Sequence, residues 1–176
     1  MQDLPYVYYD IKKQEFSMTH TLRISLFFFM VYASKILAQE TTQIKNFGEL
    51  LSTLDKGAQV RVVFHYAKCR LVIDSTEEKS PDVTGGMGID EFEYFPAGSI
   101  KNPKGYLAFS KAVLISHRKY GYVTNYVKCR VFEDNSVEVN ARYITPDKYE
   151  TVMNETFYCT IANGENGEGV LFFLQD

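Results

Sequence analysis

Tyr120-Gly-Tyr-Val-Thr-Asn-Tyr-Val-Lys-Cys-Arg-Val-Phe-Glu133, then Asp134-Asn-Ser136, then Val137-Glu-Val-Asn-Ala-Arg-Tyr-Ile144, is the stretch that decides the fold class. β-Branched and aromatic residues recur at every second position, so that Val127, Cys129 and Val131 share one face. A period of two belongs to a half-buried strand, and Asp-Asn-Ser is a turn signal. The pattern therefore predicts a hairpin of two long strands, Tyr120 to Glu133 and Ser136 to Ile144, ended by Pro146.

Working outward, Val60 to Ala67 alternates in the same way, and Cys69 to Ile73 extends or follows it. Ile89 to Phe95 and Tyr106 to Ser116 read as further strands, and Thr156 to Ile161 with Gly169 to Leu174 as a last hairpin. Polar turn-rich segments, Asp74 to Thr84 and Pro96 to Gly105, separate them. One segment has helical period: Phe47, Leu50, Leu51 and Leu54 fall on one face, with Asn46 placed to N-cap, Glu49 to complete a capping box and Gly57 to end the helix. The expected fold is mainly β (α+β), a short N-terminal helix packed on an antiparallel sheet closed as a barrel or folded as a sandwich.

Met18 to Ala38 reads as a secretory signal peptide. Arg23 supplies a positive flank, Ile24 to Ala33 an apolar run, and Ala38 a small residue for cleavage before Gln39. A run near ten residues is short for a bilayer, which needs about 20 residues of helix. A membrane anchor with residues 1–22 inside the cell is the competing reading. Residues 1–17, polar and tyrosine-rich, are unlike a signal n-region and read as an untranslated or disordered leader. Residues 39–176 then form a single domain, expected to be extracellular and without stable membrane insertion after cleavage.

That segment holds nineteen acidic and fifteen basic residues, a net charge near −4. No basic stripe points to nucleic acid. Three cysteines remain, Cys69, Cys129 and Cys159, and an odd count in a secreted chain suggests one disulfide and one leftover; by spacing all three pairings are open.

His65-Tyr-Ala-Lys-Cys-Arg70 and Asn125-Tyr-Val-Lys-Cys-Arg130 share Tyr-x-Lys-Cys-Arg, as a duplicated half-barrel would, although the flanks do not repeat. Asn154-Glu155-Thr156 is an N-glycosylation sequon. Glu91 and Glu93, on one strand face about 7 Å apart, have a spacing a hydrolase of glycosides can use, although acidic residues on a strand more often mark its solvated face. Gly85-Gly-Met-Gly88 lacks the Lys-Ser/Thr of a phosphate loop and reads as a turn or bulge entering a strand. His65 and His117, the only histidines after residue 38, are too few for a zinc site and read as ordinary strand and loop residues. Aromatic stripes, among them Phe64 with Tyr66 and Phe92 with Tyr94, serve either as core or as the lining of an apolar cavity. No cofactor, metal site or catalytic residue is expected.

In order along the chain, the leucine-bearing helix before Gly57, Val60-Arg-Val-Val-Phe64 leading to Cys69, Gly85-Gly86 before Ile89-Asp-Glu-Phe92, Tyr126-Val-Lys-Cys-Arg-Val131 with Asp134-Asn-Ser-Val137, and Phe157-Tyr-Cys159 resemble the VirK-like family of small secreted proteins. The resemblance implies one secreted domain with Cys69 paired to Cys159, leaving Cys129 as a buried thiol. Val113 and its neighbours depart from a histidine-bearing segment common in bacterial members. The family has no established activity. The expectation is a secreted, non-enzymatic binding domain for an extracellular protein, a glycan or a small apolar ligand. The alternatives are a hydrolase using carboxylates such as Glu91 and Glu93, and a carrier with a barrel cavity.

Overall fold

Asn46 begins the helix. Its Oδ1 accepts from the Glu49 amide at 2.9 Å, and α1 (Phe47–Asp55) follows. The Glu49 carboxylate reaches back one residue beyond a capping box, accepting from the Lys45 amide at 2.9 Å. At the far end the Gly57 amide donates to the Leu54 carbonyl and the Ala58 amide to that of Thr53. This is the Schellman arrangement, and it needs the positive φ of 77° that Gly57 adopts. Phe47, Leu50 and Leu54 are the buried stripe. The computed structural model describes residues 41–164 and 169–175; the leader and the signal segment lie outside these.

Eleven strands accompany the helix among the described residues: β1 (Gln43–Ile44), β2 (Val60–His65), β3 (Arg70–Ile73), β4 (Thr76–Glu78), β5 (Thr84–Ile89), β6 (Glu93–Phe95), β7 (Tyr106–His117), β8 (Gly121–Phe132), β9 (Ser136–Ile144), β10 (Thr151–Thr160) and β11 (Val170–Leu174). They form two antiparallel sheets, β1-β11-β2-β5 and β4-β3-β10-β9-β8-β7-β6. The inward faces share one core. Val60, Val62, Phe64, Val170 and Phe172 of the smaller sheet meet Leu107, Phe109, Cys129, Val139 and Phe157 of the larger. The Phe109 and Phe172 rings meet edge-on across the gap, 6.5 Å between centroids.

Neither sheet closes, so the barrel expectation is corrected. Two breaks explain it. The 3₁₀ turn Tyr66–Lys68 ends β2 and carries the chain into the other sheet as β3. The irregular Asp90–Phe92 does the same between β5 and β6, whereas sequence periodicity predicts one strand from Ile89 to Phe95. Each crossing leaves edges (β5 on one sheet, β4 and β6 on the other) instead of a closed ring. The expected last hairpin is also absent. β11 inserts between β1 and β2, and among the described residues its pairing with the end of β10 is a single bridge, Ile161 to Val170. There the buried Val170 and Phe172 stand opposite Phe64 and Val62. The two Tyr-x-Lys-Cys-Arg segments differ completely, one in the 3₁₀ turn and β3, the other in mid-β8, so they are no structural repeat.

The β8–β9 hairpin matches its sequence reading, and its turn has a further role. Asn135, at φ 66°, accepts from the Phe47 amide through Oδ1 at 2.8 Å and from the Ile161 amide through its carbonyl at 3.0 Å. The turn thus holds the N-terminus of α1, whose Phe47 ring lies 6.1 Å from that of Tyr94. At this end the helix adds Phe47, Leu50 and Leu54 to the core between the sheets. The other end is open.

A carboxylate in the open end of the inter-sheet cleft

At that open end, roughly 17–20 Å along β9 from the hairpin turn at about 3.3 Å per residue, lies a cleft of about 390 Å³. Phe64, Gly85 and Met87 form one wall; Val127, Ala141 and Phe157 form the other. Tyr66 stands at the side, its ring centroid 4.5 Å from Phe157 and 5.8 Å from Phe64. The expected glycine turn is instead the body of β5, paired with β2 throughout. A Cβ on Gly85 would come within 3.1 Å of the Tyr66 ring, and one on Gly86 within 2.8 Å of the Val62 carbonyl, so the glycines permit close approach rather than a bend.

Strand alternation turns Glu155 toward the cleft, where it is partly buried. On β10, Met153, Glu155, Phe157 and Cys159 point to the core side, and the ladder sets Glu155 beside Ala141 and Ala141 beside Val127. Among the described residues Glu155 is the one charged residue lining the cleft. The next residue in that row is Lys111, three strands away, or about 14 Å at ordinary strand spacing; it is exposed and ion-paired with Asp90. Among the described residues no cation pairs with Glu155. Burial pushes its carboxyl above the usual value. Tyr66 is pushed up to about 12, first by burial and then by unfavourable electrostatic interaction of its phenolate form with neighbouring acidic groups (Cys129, Glu155 and Tyr143), so its hydroxyl stays a neutral donor.

The shift has a consequence for stability. A carboxyl whose value is raised in the folded state favours folding below its unfolded value, and that contribution is lost as pH rises through the folded value. Glu155→Gln is therefore expected to raise Tm over wild type at pH 7, with the advantage vanishing below about pH 4, under the ordinary glutamate value of 4.5. Thermal melts at the two pH values check this; a variant less stable at pH 7 would contradict it.

The other sequence candidates are dispersed. Cys69 and Cys159 are joined as a disulfide, and Cys129 is a fully buried thiol. Asn154 is exposed on the outward face of β10, its Oδ1 accepting from Asn140 Nδ2 at 3.0 Å. Glu91 and Glu93 do not share a strand face, because the break at Asp90–Phe92 separates them; both are exposed and neither lines the cleft. His65 Nδ1 lies 3.2 Å from Thr84 Oγ1, and His117 stacks on Tyr120 while its Nδ1 accepts from the Lys119 amide. The aromatic stripes divide. Phe64 and Tyr66 reach the cleft, Phe172 is core, Tyr106 packs between Phe95 and Phe132, and Tyr94 and Tyr122 are exposed. Among the described residues no helix is long and apolar enough to cross a membrane.

Sequence reasoning missed Glu155, Asn125, Tyr143 and both methionines of the cleft. A signal was present: an acidic residue at an inward position between Met153 and Phe157 breaks the apolar alternation that the strand otherwise keeps.

The architecture defines a class: a two-sheet antiparallel domain stapled by one disulfide, with a helix at one end and an open cleft at the other. The model of the VirK protein family matches residues 43–149, and the chain belongs to that family. The crystal structure of a VirK family protein from Legionella pneumophila is similar in fold, with a TM-score of 0.56 at 11% identity, covering 74% of this chain and 98% of that one. No curated protein matches the chain.

Proposed function

We propose that this protein is a secreted, non-enzymatic binding domain whose inter-sheet cleft takes a small, largely apolar ligand. The cleft carries the reading: about 390 Å³ open to solvent, walled by apolar and aromatic side chains from both sheets with a few polar groups, falls within the range of small-molecule sites. A neutral fluorescent probe, N-phenyl-1-naphthylamine, is expected to bind with micromolar affinity and blue-shifted emission. Ala141→Phe, which fills the cleft, is expected to weaken binding at least tenfold while the fold persists. Equal binding by both proteins would place the probe elsewhere and sink the reading.

Secretion is supported by the signal-like segment and by a disulfide, a bond that persists in oxidising compartments. The exposed Asn154 suits glycosylation in a eukaryotic host. Intact mass of protein recovered from such a host's medium is expected to show a chain beginning at Gln39, one disulfide, one free thiol and a removable glycan. A membrane-bound chain retaining residues 18–38 would instead make it a tethered ectodomain.

A further inference from the structure

The cleft is apolar along its walls but carries one unbalanced charge. A carboxylate placed on the inward face of a strand loses hydration, and proteins normally repay that with a counter-ion or hydrogen bonds. Here neither comes from the described residues: no Lys or Arg lines the cleft, and Lys111 of the same ladder row is solvent-exposed and held by Asp90. Aromatic rings stand around the same space. Tyr66 and Phe157 are in contact, and Tyr143, two positions along the ladder and paired with Met153, also lines the cleft. Ring faces attract cations, and more strongly once water is excluded. A carboxylate without a counter-ion beside aromatic faces is complementary to an organic cation and repels an organic anion.

We propose that the cleft selects organic monocations, with an apolar or aromatic body lying between the two sheets and an ammonium head paired with the Glu155 carboxylate. This rests on the reading of the cleft as a ligand site and names the class of ligand it prefers. Tyr66, neutral throughout the physiological range, adds a hydrogen-bond donor or a ring face but no competing charge. Val127 and Ala141, in the same row as Glu155, offer the surface along which the apolar body lies.

Three probes sharing one carbon skeleton isolate the head group: 4-phenylbutylamine, 4-phenylbutanol and 4-phenylbutyrate. Calorimetric titration of the full chain at pH 7.5 is expected to rank them amine, alcohol, carboxylate, with the amine at least tenfold tighter than the alcohol. Glu155→Gln preserves side-chain shape, so it is expected to remove the amine's advantage while leaving alcohol affinity within about twofold. Glu155→Asp, which keeps the charge on a shorter arm, is expected to retain part of it. Amine and alcohol binding equally to wild type would overturn the charge selection and leave the cleft standing. An amine preference surviving in Glu155→Gln would likewise overturn it, by placing the cation elsewhere. If none of the three binds, both this inference and the ligand-site reading fail.

Discussion

Replacing Cys69 and Cys159 together by serine is expected to cost about 4 kcal/mol of stability, because the bond closes a loop spanning 90 residues and the unfolded chain gains that freedom. For a domain of this size that is a fall in Tm of roughly 10–20 °C. The location sharpens the expectation. Cys69 directly follows the Tyr66–Lys68 turn, where the chain leaves the smaller sheet, and Cys159 lies on β10 beside the inward Phe157. The bond therefore staples the crossing to the larger sheet and holds Tyr66 against Phe157, at the side of the cleft. Ligand binding is expected to weaken along with stability. Thiol titration gives an independent check: none reactive in the native protein, one in denaturant, three after reduction. A double variant within 1 kcal/mol of wild type would show that the sheets hold the crossing unaided.

The second large effect is at Phe172. Its side chain is fully buried, it stands opposite Val62 on β2 and Ile44 on β1, and its ring meets Phe109 of the other sheet. Phe172→Ala removes the ring from the contact that joins the two sheets, and a loss of about 3–5 kcal/mol is expected. The neighbouring Phe173 points to the opposite face and is only partly buried, so Phe173→Ala is expected to cost under about 1.5 kcal/mol. Denaturant melts of the pair test whether the inward face of β11 is the one that binds the sheets. Equal losses would contradict the register.

What was legible in the sequence follows the range of the interactions. The helix, its Asn46 cap and its Gly57 stop depend on groups a few residues apart, and they appear as read. The β8–β9 hairpin is local too, and its strands and turn match the reading to within a residue at each end. The failures sit where the chain changes sheets. Val60 to Ala67 alternates without interruption in the sequence, yet β2 stops at His65. There the next inward neighbour, Tyr66, has a glycine-lined space beside Gly85 to turn into. That space is made by Gly85 of β5, 19 residues further along the chain, and leaves no mark on the local period. Thr156 to Ile161 and Gly169 to Leu174 looked like partners because they are close in sequence. The inward faces decided otherwise, since Val170 and Phe172 complete the sheet that Val62 and Phe64 begin. The family's cysteine pair came from resemblance, not from spacing. For the cleft, Phe64 and Tyr66 stood out as aromatics, but Glu155 went unmarked because only the pairing of β10 with β9 shows which face it takes.

The methionines provide the most direct test. Of Met1, Met18, Met30, Met87 and Met153, only the last two fall within the described domain, and both line the cleft on opposite walls. In the full chain labelled with ¹³C at methionine methyls, titration with 4-phenylbutylamine is expected to shift the Met87 and Met153 signals together, along one binding curve, and Ala141→Phe to abolish both shifts. Binding with neither methyl moving would place the ligand outside the cleft and contradict the account.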